Sequence, residues 1–312
     1  METTAVVLKE PGELAIDRVG LKDPTAGDIV VETEWSGIST GTERLLYSGR
    51  MPSFPGMGYP LVPGYESVGR VVEAGSESGR TVGERVYVPG TSAYRDVRGL
   101  FGGAAAHLVV PGDKTVPLGE DLAEDGTLLA LAATAYHAFA GGDGRLPDLI
   151  VGHGVLGRLL ARVACAEGGC PTVWEVNPER RDGARNYPVI DPREDATRSY
   201  ETIYDVSGAE GLLDSLIEKL APRGEVVLAG FYSQPLSFAF PPAFLREARL
   251  RVAAEWQRPD LLAAKRLIDE GQLSLEGLIT HRAPAKAAET AYRTAFEDPS
   301  CLKMILDWSE RS

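Results

Sequence analysis

Gly152-His153-Gly154-Val155-Leu156-Gly157 spells G-x-G-x-x-G immediately after the apolar run Leu149-Ile150-Val151. In that context each glycine serves a separate need. The first permits a tight turn, the second lets backbone approach a pyrophosphate, and the third lets the following helix pack against the strand. The helix is written in the spacing of Val155, Leu159 and Val163 and of Leu156, Leu160 and Ala164, each one turn apart on the same side. Its N-terminus presents free N–H groups and the positive end of the helix dipole to phosphate. His153, inside the motif, is expected near the cofactor phosphates or ribose. Glu175 follows Gly157 by 18 residues, in the next strand-like run, Thr172 to Val176. A carboxylate there accepts both ribose hydroxyls of NAD and repels the 2′-phosphate of NADP. NAD is therefore the expected cofactor and hydride transfer the expected chemistry. Arg180 is placed to reach the ribose or phosphate, with a solvated helix start as its alternative reading.

The elements that must hold this motif divide the chain by texture. Up to about residue 128 the sequence is rich in glycine and proline, with short β-type runs such as Ile29 to Val31, Val68 to Val72, Arg85 to Val88 and Leu108 to Val110. Beyond it, helical spacing alternates with the short apolar strands Leu149 to Val151, Thr172 to Val176, Thr202 to Val206 and Val226 to Gly230. That alternation predicts an α/β fold with a doubly wound parallel sheet. An amphipathic stretch (Leu261, Leu262, Lys265, Leu267, Ile268) and the strand-like Met304-Ile305-Leu306 follow, the latter expected to return to the first domain. The expected division is residues 1–128 with 258–312, and 129–257.

Composition excludes several function classes. The chain has 312 residues, 44% hydrophobic and 25% charged, ordinary values for two globular domains. A formal charge of −13 repels polyphosphate backbones, and no basic stripe with interleaved aromatics offsets it, so nucleic acid is not an expected partner. No stretch of about 18 apolar residues predicts a membrane span. Met1-Glu2-Thr3-Thr4 opens without the basic start and apolar run of a signal peptide, so a cytoplasmic location is expected. The three cysteines, Cys165, Cys170 and Cys301, form no metal-like cluster and are expected to be reduced thiols.

Pro63-Gly64-Tyr65-Glu66-Ser67-Val68-Gly69-Arg70-Val71-Val72, then Gly75 and Gly83-Glu84-Arg85-Val86, resembles the medium-chain alcohol dehydrogenase signature. Ser36-Gly37-Ile38-Ser39-Thr40-Gly41-Thr42-Glu43 is similar to that family's Gly-Ile-Cys-Gly-Thr-Asp, and Ala133 to Ala138 to its hinge helix. The resemblance implies a GroES-like catalytic domain, a Rossmann domain and an active-site cleft between them. The departures lie at the metal. Zinc-dependent members hold the ion with Cys, His and a later Cys or Glu; here Ser39 or Thr40, Tyr65 and a position near Ala130 stand there. Glu66 alone remains, the structural-zinc cysteines are also missing between Pro89 and Gly103, and no metal is expected.

Alcohol oxidation needs removal of the hydroxyl proton, which zinc normally makes labile. The resemblance implies that Thr42 hydrogen-bonds the substrate alcohol, and it places Tyr65 where a metal ligand faced the same oxygen. Tyr65, helped by Glu66, Ser39 and Thr42, is the expected catalytic group, acting as a base only with a positive charge nearby. Simple filling of the volume left by metal and imidazole is its alternative. Lys303 resembles a basic family position that contacts the pyrophosphate. His137 reads as a packing residue of the hinge helix, and His107 and His281 as surface or loop positions.

In motif wording and length, the chain resembles most the bacteriochlorophyllide 3-hydroxyethyl dehydrogenases. The implied reaction is NAD-linked oxidation of a 3-(1-hydroxyethyl) group to 3-acetyl on a chlorin or bacteriochlorin, by a possible homodimer. Two alternatives stay open: a zinc-free quinone or enoyl reductase, disfavoured by Glu175 because that branch usually prefers NADPH, and a catalytically silent dinucleotide-binding protein.

Overall fold

A computed structural model describes residues 1–309. The chain forms two compact units, one of Met1–Ala130 together with the segment from Leu278 onward, the other of Leu131–Gly277.

The second unit is built on a six-stranded, wholly parallel sheet in the order Val189–Ile190, Thr172–Trp174, Leu149–Val151, Tyr200–Asp205, Leu220–Leu228, Arg249–Val252. The order reverses direction beside the central strand Leu149–Val151, the switch point at which such sheets bind ligands. Leu149, Ile150 and Val151 are all buried, as a strand covered on both faces must be. The chain returns to the first unit at Leu278 rather than near 258, because the helix Arg258–Asp269 buries Leu261, Ala264 and Leu267 within the second unit. His137 Nδ1 meets Asp260 Oδ2 at 2.8 Å, and Arg162 donates to the carbonyls of Ser274 and Glu276. His137 is thus the satisfied packing residue expected of it.

The first unit pairs a four-stranded sheet (Glu13–Gly20, Glu2–Glu10, Leu61–Val62, Arg98–Gly99) with a seven-stranded one whose centre is the long strand Asp28–Ile38. Val6, Leu8, Val31, Leu61, Leu108 and Leu306 are among the residues of their common core. Three segments converge where Asp28–Ile38 ends. Ser67–Ala74 pairs antiparallel with it, setting Ser67 against Ser36. The last strand, Met304–Asp307, pairs antiparallel on its other side, with Met304 against Ile38. The six-residue helix Thr42–Tyr47 follows directly and buries Glu43 and Leu46.

Candidate active site

The dinucleotide motif takes the geometry its glycines require. Gly152 has φ +105, a conformation that side chains rarely adopt, and a Cβ on Gly157 would lie 1.9 Å from the Gly152 carbonyl oxygen. Gly154 has nothing within 4 Å of its would-be Cβ, leaving the backbone open to a phosphate at the start of the helix Val155–Ala166. Glu175 is anchored on this loop: Oε2 accepts the His153 N–H at 3.0 Å and Oε1 the Asn177 N–H at 2.8 Å. The residues present therefore fit a dinucleotide.

One expectation for this loop changes. The His153 imidazole is fully buried, with Nδ1 at 2.6 Å from the Arg180 carbonyl and Nε2 at 3.0 Å from the Tyr187 hydroxyl. Both ring nitrogens are engaged inside the protein, so only the backbone of His153 faces outward chemistry. Burial holds the imidazole near pKa 4, below its usual 6.5, and it stays neutral. The Arg180 carbonyl also accepts Arg158 Nη2 at 3.0 Å, and the residue as a whole is half-buried.

In the first unit, Ser39, Thr42 and Tyr65 come together as three hydroxyls. Tyr65 Oη lies 2.7 Å from Ser39 Oγ, and the Thr42 side chain is near enough to act on the phenol. Ser39 Oγ accepts the Thr42 N–H at 3.3 Å. The ring of Tyr65 is held edge-on against Phe101, centroids 5.5 Å apart, and its carbonyl accepts the Tyr87 hydroxyl at 2.8 Å. Burial, reinforced by the negative charge of Glu66, pushes the Tyr65 phenol above its usual range. At neutral pH it is a hydroxyl that donates and accepts, not a phenolate base.

Behind the hydroxyls lies a buried charge cluster. Lys303 Nζ meets Glu66 Oε2 at 2.6 Å and the Ile38 carbonyl at 3.2 Å. The two side chains are 2% and 0% exposed. Lys303 thus points at Glu66 in the first unit, a departure from the expected pyrophosphate contact. Register explains it: with Met304 set against Ile38, the preceding residue is carried to the strand end beside Glu66. Sequence reasoning also passed over Glu43, which is buried, accepts the Ser39 N–H at 3.0 Å, and takes the Tyr292 hydroxyl at 2.5 Å. Desolvation raises its carboxyl to about 7 despite those hydrogen bonds. Its position directly after Thr42 in the family-like motif was the available signal.

The donor set does not fit a zinc ion. Ser39, Tyr65 and Ala130 offer no thiolate or imidazole, and Glu66 already carries an ammonium on one oxygen. Among the described residues, no group of three or more His, Cys, Asp or Glu side chains is placed to hold a metal.

Residues 25–120 match the family of the alcohol dehydrogenase GroES-like domain. Over 312 residues, covering 99% of both chains, this chain is 57% identical to 2-desacetyl-2-hydroxyethyl bacteriochlorophyllide A dehydrogenase of Rhodobacter capsulatus. The protein of the same name from Cereibacter sphaeroides is likewise 57% identical, over 314 residues and 99% of each chain. Among solved structures, 2R,3R-butanediol dehydrogenase from Bacillus subtilis superposes with TM-score 0.83 at 20% identity, over 98% of this chain and 99% of the other. An Escherichia coli alcohol dehydrogenase complexed with NADH gives 0.83 at 21% identity and the same coverage. A dehydrogenase from Sinorhizobium meliloti bound to NADP gives 0.81 at 20% identity, again over 98% and 99%.

Proposed function

The chain belongs to the medium-chain alcohol dehydrogenase superfamily and, within it, to the 2-desacetyl-2-hydroxyethyl bacteriochlorophyllide A dehydrogenases, and on that premise we propose a zinc-independent, NAD-linked oxidation of a 3-(1-hydroxyethyl) group to 3-acetyl. It is an oxidoreductase acting on CH–OH, with a role in bacteriochlorophyll synthesis, and its substrate is a (bacterio)chlorophyllide a. What supports the proposed mechanism is the convergence of the Ser39, Thr42 and Tyr65 hydroxyls in one cluster.

Oxidation of a secondary alcohol removes a hydride from carbon and a proton from oxygen. NAD, when held by Gly152–Gly157 and Glu175, supplies the hydride acceptor. Glu175 supports NAD over NADP, since a 2′-phosphate beside a buried carboxylate is repelled. The proton half falls to the hydroxyls: Thr42 and Tyr65 hydrogen-bond and orient the alcohol, and its proton passes to Tyr65 Oη as the phenolic proton moves to Ser39 Oγ and the Ser39 proton is released in turn to solvent water, the final acceptor. Tyr65 stays neutral throughout, because burial and Glu66 both oppose its ionisation.

Two further assignments belong to this reading. No helix among the described residues is long and apolar enough to cross a membrane, and we assign an enzyme that draws on the cellular dinucleotide pool to the cytoplasm. We assign the edge strand Arg249–Val252 to a homodimer contact. Val252 is 75% exposed, and the helix Phe240–Arg246 leading into it exposes Phe240, Phe244 and Leu245. An unpaired strand edge that exposes Leu250 and Val252 in alternation with Arg249 and Arg251, beside that apolar helix face, is a pairing surface.

The test incubates the protein with NAD and a 3-(1-hydroxyethyl) chlorophyllide. A red-shifted absorption is expected as the new acetyl group conjugates with the ring. NADH binding by fluorescence without any shift would make the chain a silent dinucleotide binder. A product that loses a C=C instead of gaining a carbonyl would make it an enoyl reductase.

A further inference from the structure

Lys303 and Glu66, 2% and 0% exposed, are the most deeply buried ion pair among the described residues of the first unit. Taking an ammonium and a carboxylate out of water costs several kcal/mol for each ion, and a well-packed apolar pair often does as well or better. The protein has nevertheless shaped its backbone around them. A Cβ on Gly37 would lie 2.2 Å from Glu66 Oε2, so the strand carries its smallest residue where the carboxylate passes. Lys303 in turn is held by the Ile38 carbonyl, 3.2 Å from Nζ. Glu66 Oε1 is buried without a hydrogen-bond partner among the described residues, so the Lys303 ammonium is the main compensation the carboxylate receives.

Glu66 neighbours Tyr65 in sequence, and its charge acts on the phenol. An uncompensated carboxylate at this point would oppose the negative charge that develops on the alcohol oxygen and its hydroxyl partners as the proton moves. In zinc-dependent relatives the positive charge beside the reacting oxygen comes from the ion. We propose that Lys303 is a positioning residue that serves the reaction through Glu66, neutralising the carboxylate beside the hydroxyl cluster, and that it is not a ligand of the cofactor pyrophosphate. The ammonium also repels any divalent cation from the same carboxylate. This inference rests on the proposed NAD-linked alcohol oxidation, so wild-type turnover with NAD is measured alongside: its failure sinks that reading, while the variants below judge Lys303.

The experiment is a charge cycle of Lys303→Met, Glu66→Gln and the double variant, read by kcat, KM for NAD, NADH affinity by fluorescence, and thermal melting. Lys303→Met should lower kcat about 100-fold, the scale expected when a buried charge loses its partner, with KM for NAD and NADH affinity within about threefold of wild type. The double variant should regain at least about tenfold of the lost kcat, because neither charge is then left alone. The proposal is overturned if Lys303→Met weakens NADH binding about tenfold or more while kcat is kept, the signature of a pyrophosphate ligand. It is equally overturned if the double variant is no faster than Lys303→Met. Should Lys303→Met alone fail to fold, the double variant is compared with wild type directly: kcat within about tenfold supports the proposal, and a loss of about 100-fold or more overturns it.

Discussion

Tyr65 Oη lies 2.7 Å from Ser39 Oγ, a hydroxyl pair through which the proposed proton relay runs. Removing the phenolic oxygen breaks the relay without opening much space. Tyr65→Phe should therefore lower kcat about 100-fold, within the range of a lost proton-transfer group, and leave KM nearly unchanged. Ser39→Ala should cost less, since the Thr42 hydroxyl remains close to the phenol. Steady-state kinetics with the chlorophyllide substrate decide it; unchanged turnover in Tyr65→Phe means the ring merely fills volume.

Glu175 is held by two backbone N–H groups, those of His153 and Asn177, so its charge is fixed beside the motif. Glu175→Gln keeps the shape and removes the repulsion of a 2′-phosphate. The ratio of kcat/KM for NADP over NAD should rise about tenfold, roughly 1.4 kcal/mol of differential binding. An unchanged ratio would show that this carboxylate does not select the cofactor.

These two predictions differ in how early their residues could be read. The dinucleotide loop was legible because its requirements are local: a positive φ at Gly152 and a Gly157 Cβ position 1.9 Å from a carbonyl admit only glycine. The orientation of His153 was not, since it depends on Tyr187 and the Arg180 carbonyl, which arrive from a later loop. Ser39 and Tyr65 were legible as substitutions in a familiar pattern, and Thr42 as a match to it. Lys303 was legible only as a basic residue. Its partner follows from the register of Met304 against Ile38, a pairing between distant segments that no local propensity encodes. Glu43 was hidden for the same reason, because its burial against Tyr292 is a tertiary outcome.

The exposed edge strand Arg249–Val252 bears on assembly. Val252 and Leu250 are 75% and 38% exposed, and charges on an edge oppose strand pairing. Leu250→Lys with Val252→Lys adds to the positive charge of Arg249 and Arg251 and should convert a dimer to a monomer in sedimentation. A wild-type protein that already sediments as a monomer would sink the assignment.

Glu43 and His153 give stability profiles of opposite slope. The Glu43 carboxyl, desolvated by burial, stands near 7 against an ordinary 4.5. As pH rises from 4.5 to 7 the unfolded chain releases this proton while the folded chain keeps it, so stability present at acid pH is lost, on the order of 3 kcal/mol. The His153 imidazole, pushed down mainly by burial, stands near 4 against 6.5. As pH falls from 6.5 to 4 the unfolded chain takes up a proton that the folded chain refuses, and stability is lost by a similar order, roughly 3 kcal/mol. The two slopes oppose each other where their windows overlap, and the wild type should show a shallow profile there. Glu43→Gln resembles the protonated carboxyl, so its stability relative to wild type should climb between pH 5 and pH 8. The gain should be on the order of 3 kcal/mol if each compact unit unfolds in one step. His153→Gln should remove the acid limb instead, narrowing its deficit against wild type as pH falls toward 4. Denaturant melts at pH 5 and pH 8 check both, and a Glu43→Gln difference that stays constant across that span would mean Glu43 is ionised in the folded protein throughout.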